Sequence, residues 1–72
     1  MEPFTIRTYG RTELAQIYCP GICPEAAYRK LQRWIDLYPG LRRELSESGL
    51  SARSRTYTPA QVRIIVAALG EP

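Results

Sequence analysis

The chain reads as a mainly α domain of four short helices, with room for one two-stranded β element. Three observations predict this. Apolar residues recur at helical spacing between Pro24 and Tyr38. Thr58-Pro59-Ala60-Gln61 carries the N-cap, first-position proline and N3 glutamine of a helix start. Gly and Pro punctuate the chain at Gly10, Pro20-Gly21, Pro39-Gly40, Gly49 and Gly70, which cuts it into pieces of helix length.

The elements follow in order. Phe4 to Tyr9 begins with apolar–polar alternation and reads as a short strand ending at Gly10. Thr12 suits the N-cap of a short helix, Glu13 to Tyr18, whose Leu14, Ile17 and Tyr18 share a face. Cys19 to Cys23 is a turn. Pro24 then takes the first position of the longest helix, which runs to Tyr38. Its apolar stripe is Ala27, Leu31, Trp34, Ile35 and Tyr38, with Trp34 at the centre of the core. Tyr28 sits at the edge of that stripe, where core packing, stacking and partner contact are all open to it. Leu41 to Ser48 is a third helix, with Leu41 and Leu45 inward, Gly49 as its left-handed cap and Leu50 packing back.

Ser51 to Tyr57 is polar and basic and reads as a loop, or as a short strand paired with the N-terminal one. The last helix runs from Pro59 to about Leu69 and is apolar nearly all round. Val62, Ile65, Val66 and Leu69 line one face, and Ile64 and Ala68 the other. Such a helix is either central to the fold or part of a subunit contact. Tyr9, Tyr18 and Tyr57 are expected as half-buried rings with hydroxyls in water. One domain covers residues 1–72, and a domain of that length buries only about 60% of its unfolded surface.

Composition narrows the function. Catalysis is not expected: the chain has no His, no Gly-rich phosphate loop and no nucleophile-elbow serine. Its seven acids are scattered. A zinc site needs four ligands, and Cys19 and Cys23 without His cannot supply them, so no metal and no cofactor are implied. A disulfide across this short loop is open to the pair, but nothing marks the chain as secreted, and the simplest reading is two reduced thiols in or near the core. A pocket enclosing a small-molecule substrate is too large for so short a chain. No leader peptide is visible after Met1, and the longest apolar run, Ile64 to Leu69, is too short to span a bilayer. A cytoplasmic protein is the default expectation.

Net charge is +3, from nine Arg and the single Lys30 against seven acids. The short helix, turn and longer helix form a helix-turn-helix-like unit, in which the second helix would enter the major groove of double-stranded DNA. Arg29, Lys30 and Arg33 lie away from the apolar stripe, suited to guanine edges or phosphates. Arg53 and Arg55 lie on the polar connector, where a winged-helix-like arrangement would set them on the backbone or in the minor groove beside the helix. Glu25–Arg29 and Arg33–Asp36 are spaced as helical ion pairs and would partly neutralise this face. The competing reading is a protein–protein interaction module or homodimer, using Ile64 and Ala68 with Tyr28.

The chain also resembles a family of short bacterial proteins known as a domain of unknown function. The likeness rests on Arg7-Thr8-Tyr9-Gly10 with Glu13-Leu14-Ala15, on Leu31-Gln32-Arg33-Trp34-Ile35, and on Tyr57-Thr58-Pro59-Ala60-Gln61-Val62. It continues through Ile64-Ile65-Val66 to Leu69-Gly70-Glu71-Pro72, which implies that Pro72 is a natural end. This resemblance implies no mechanism. The chain is more weakly similar to MerR-like and excisionase-like DNA-binding domains, in the order helix, turn, helix, basic connector and Arg55-Thr56-Tyr57-Thr58-Pro59 opening a further helix. That likeness implies DNA binding, but the long dimerising helix of MerR-type regulators is missing.

Overall fold

The computed structural model describes residues 4–72, and the sequence readings that involve Met1, Glu2 and Pro3 lie outside them. The described residues form β1 (Tyr9–Gly10), α1 (Arg11–Tyr18), α2 (Pro24–Leu37), α3 (Leu41–Glu47), β2 (Thr56–Tyr57) and α4 (Pro59–Leu69). This is the mainly α fold with a two-stranded element that the sequence predicts. The strands pair antiparallel, Tyr9 opposite Tyr57 and Gly10 opposite Thr56. The Arg11 amide extends the ladder to the Arg55 carbonyl at 3.3 Å. Each strand runs straight into a helix, so this pairing sets the starts of α1 and α4 side by side.

The N-terminal strand is shorter than expected. Only Tyr9 and Gly10 pair, because the opposing segment turns away before Thr56. Ser54 N–H donates to the Ser51 carbonyl, and Ser51 N–H donates to Ser54 Oγ, so residues 51–54 close a turn rather than extend a strand. Phe4 instead stacks on Tyr9, ring centroids 5.3 Å apart and nearly parallel.

α1 starts two residues earlier than the Thr12 cap predicts. Gly10 is the N-cap, and its N–H donates to Glu13 Oε1 at 2.9 Å. That bond, then Arg7, holds the Glu13 carboxyl below its ordinary range. α2 ends at Leu37 because Tyr38 precedes Pro39, and the proline ring drives the preceding residue into extended backbone (φ −82°, ψ 120°). At the end of α3, Gly49 has φ +101°, a conformation that only glycine adopts without strain. It returns Leu50 N–H to the Leu45 carbonyl at 3.0 Å and buries Leu50. The capping box on α4 forms as read: Gln61 N–H donates to Thr58 Oγ1, and Thr58 N–H donates to Gln61 Oε1. The Gln61 amide also donates to the Ser48 carbonyl, which ties α3 to α4 and satisfies a buried polar side chain.

The core joins Leu14 and Ala15 of α1, Ala27, Leu31 and Ile35 of α2, Leu41 and Leu45 of α3, and Val62 and Ile65 of α4 around Tyr57. Each large aliphatic side chain buried there contributes roughly 1.5–3 kcal/mol over its exposed state. Several expectations are corrected. Trp34 is not the core centre; it lies half-buried at the rim, edge-on to Tyr18 at 6.4 Å. The stripe is centred on Ala27, Leu31 and Ile35, and position 34 lies about 100° round the helix from Ile35. Tyr38 leaves the stripe with the helix end and is 44% exposed, and Ile17 is 39% exposed. Tyr57 and Tyr9 are buried, not half-buried. The Tyr57 hydroxyl accepts from Gln32 Nε2 at 2.8 Å, and the Tyr9 hydroxyl donates to the Thr5 carbonyl at 2.7 Å. Cys19 is buried, Cys23 is exposed, and they are not bonded to each other.

Tyr18 hydroxyl donates to the Gly70 carbonyl at 2.6 Å and so fastens the end of α1 to the end of α4. Burial, then the Glu71 charge, pushes its pKa up to about 12 from an ordinary 10. Between those values the folded chain holds a proton that the unfolded chain has lost, so stability falls as pH rises through this window. Denaturant midpoints should drop from pH 10 to pH 12 in the native chain. The Tyr18→Phe variant should show a smaller drop.

Candidate nucleic-acid interface

α2 presents its outer face opposite Ala27, Leu31 and Ile35. Ala26, Arg29, Lys30, Arg33 and Trp34 follow the i, i+3, i+4 rows of the helix and line one shallow concavity there. Lys30 Nζ lies 5.5 Å from the centroid of the Trp34 ring, a cation–π contact that holds the ammonium on this face. Arg29, Lys30 and Arg33 are all exposed.

The two neutralising ion pairs expected on this helix are not formed. The salt bridges among the described residues are Arg7–Glu13, Arg42–Asp36 and Arg43–Glu47. Asp36 is held by Arg42 Nε at 2.8 Å, on the flank of α2, and so is turned from Arg33. The three cations of the outer face thus have no carboxylate partner among the described residues. Positive charge left unpaired on a solvated helix face is open to phosphate oxygens or base edges.

Arg53 and Arg55 are exposed on the connector between α3 and β2. The connector is held against the rest of the domain by Arg11, the first residue of α1. Arg11 Nη1 donates to the carbonyls of Ser51 at 3.1 Å and Ser54 at 3.2 Å. Its guanidinium also lies 5.5 Å from the Tyr28 ring and 5.3 Å from the Tyr57 ring. The connector therefore docks on the Tyr28–Gln32 flank of α2, beside the basic face rather than on it. The structure gathers Arg29, Lys30 and Arg33; Arg53 and Arg55 stand apart from them on this neighbouring support.

The expected partner patch does not hold together as one surface. Ile64 and Ala68 are half-buried and border a shallow groove with Tyr38, Pro39 and Ala67. Tyr28 lines a different cleft, with Arg11 and Arg42. α4 packs Val62 and Ile65 inside the domain, so its second face is only partly open.

Two polar residues escaped the sequence reading. Arg11 precedes the expected helix start and carries no local signal. Arg42 follows the α2–α3 turn and meets Gln32 and Asp36 only in the folded chain. Gln32 could have been flagged: it lies four residues from both Tyr28 and Asp36, so the three form one polar edge along the helix.

Among the described residues no group of His, Cys, Asp and Glu is placed to hold a metal ion. No helix among them is long and apolar enough to cross a membrane. The chain belongs to a family described as a domain of unknown function, DUF4248, whose model matches residues 5–72. No curated protein and no solved structure matches it.

Proposed function

We propose that this chain is a double-stranded DNA-binding module rather than an enzyme, with α2 as the helix that enters the major groove. Arg29, Lys30 and Arg33 face the groove. Arg53 and Arg55 hold phosphates from the connector. One observation carries the reading: three cations share the outward face of the second helix while the acid beside them, Asp36, is engaged by Arg42. The order of α1, turn and α2 suits a first helix that crosses the backbone and positions the second.

Binding of this kind is mainly electrostatic. With about four phosphates neutralised, affinity for a random-sequence duplex should fall with salt at a log–log slope of about −3.6, from ~0.9 per contact. A fluorescence titration at low and at physiological salt checks this. Absence of binding at low salt would sink the proposal. So few contacts give weak binding, and useful specificity then needs a dimer or tandem sites.

The groove of Ile64 and Ala68 favours a second reading, a homodimer or protein-interaction module without nucleic acid. Exposed Tyr38 and half-buried Ile64 give it an apolar rim. On that reading Ile64→Glu lowers the light-scattering mass of the protein. An unchanged mass removes it.

A further inference from the structure

A second cationic site lies on the flank of α2, and none of the residues assigned to the DNA face form it. Arg11, Tyr28, Arg42, Ser46 and Ser51 wall a cleft with Leu50 at its apolar side. Two guanidinium groups converge there on one neutral acceptor. Gln32 Oε1 accepts from Arg42 Nη2 at 2.9 Å and from Arg11 Nη2 at 3.5 Å. Like charges held this close repel, and one carboxylate, Asp36, bonds to one of the two arginines. Among the described residues Arg11 has no carboxylate partner, and its buried Nε has no hydrogen-bond acceptor. That nitrogen is closed off from solvent, so Arg11 brings its charge to the cleft rather than this donor.

The lining also supplies open donors. Among the described residues, Arg42 Nη1 and the hydroxyls of Tyr28 and Ser46 make no hydrogen bond. Among the described residues no acid lines the cleft. Charge and donor type select an oxyanion. Donors standing on several walls suit the three free oxygens of a phosphate monoester.

We propose that this cleft binds a phosphate group, with Arg42 and Arg11 as its charge partners and Ser46 and Tyr28 as hydroxyl donors. The site meets the DNA reading only through Arg42, which also holds Asp36. It uses no residue of the Arg29–Arg33 face, so either proposal can fail alone.

The test is an NMR titration of the full chain with inorganic phosphate, against chloride at matched ionic strength. The expected result is saturable shifts of the Ser46 and Ser51 amides and of the Arg11 and Arg42 Nε–H signals, with phosphate alone. Arg42→Gln should weaken binding about tenfold, the effect of losing about 1.4 kcal/mol of a charge-assisted contact. Because Arg42 also braces Gln32 and Asp36, Ser46→Ala is the companion variant. Ser46 is exposed and makes no side-chain hydrogen bond among the described residues, so its replacement spares the fold and should still weaken phosphate several-fold. Equal shifts with chloride, or unchanged affinity in Ser46→Ala and Arg42→Gln together, would overturn the proposal. A competing arm separates the sources of the phosphate. Displacement of inorganic phosphate by a duplex identifies a backbone phosphate as the natural occupant, and continued binding beside the duplex identifies a free phosphate ester. Arg29→Ala with Arg33→Ala should leave phosphate affinity unchanged.

Discussion

Replacing Tyr57 by alanine should remove a large part of the domain's stability. Its ring is fully buried at the point where β2 meets β1 and runs into α4. It also accepts the Gln32 hydrogen bond and lies under the Arg11 guanidinium. Deleting a buried aromatic ring costs about 3–5 kcal/mol in lost burial and cavity formation. A chain of this length has a total stability of about 4–11 kcal/mol, at roughly 0.05–0.15 kcal/mol per residue. The deletion therefore removes much of the margin. Tyr57→Phe keeps the ring and leaves only the Gln32 amide without its partner, a loss of about 1–3 kcal/mol at most. That variant should stay folded with a lower urea midpoint and an unchanged denaturant slope. Circular dichroism and urea titration of the two variants check both statements. A native-like midpoint for Tyr57→Ala would mean that the strand pair is not the brace described above.

Replacing Arg29 and Arg33 together by alanine should abolish measurable DNA binding without disturbing the fold. Neither residue has an ion-pair partner among those described, and both are exposed, so the stability change should stay within about 0.5 kcal/mol. Each lost groove or phosphate contact weakens binding by about 1–3 kcal/mol. Two such losses carry a weak, largely non-specific binder out of the measurable range. Any residual binding should show a salt slope reduced by about one for each phosphate contact removed. Thermal denaturation run beside the titration separates lost binding from lost folding.

Much of the fold was legible because the signals were local. The Thr58–Gln61 capping box, the Pro24 start, the Pro39-Gly40 break and Gly49 each act through their own backbone, and each forms as read. What failed were inferences about depth. Trp34 and Leu31 both fit an apolar stripe, but which one faces the centre depends on where α1 lies across α2. Tyr57 sits in a polar, basic stretch, and its burial comes from elements distant in sequence, β1 and the core of the four helices. The candidate face was legible in its residues but not in its charge balance. Asp36 is spaced to pair with Arg33 and is taken instead by Arg42, six positions away and beyond a turn. The Arg11–Gln32–Arg42 cluster joins three elements and leaves no trace at any single spacing.

The most direct test of the basic face is an amide chemical-shift map of the labelled chain with a random-sequence duplex at low salt. The prediction is that the largest changes fall on α2 at Ala26, Arg29, Lys30 and Arg33, with smaller ones at Arg53 and Arg55. No change on α2, with shifts confined to the Ile64–Ala68 groove or absent altogether, would contradict it.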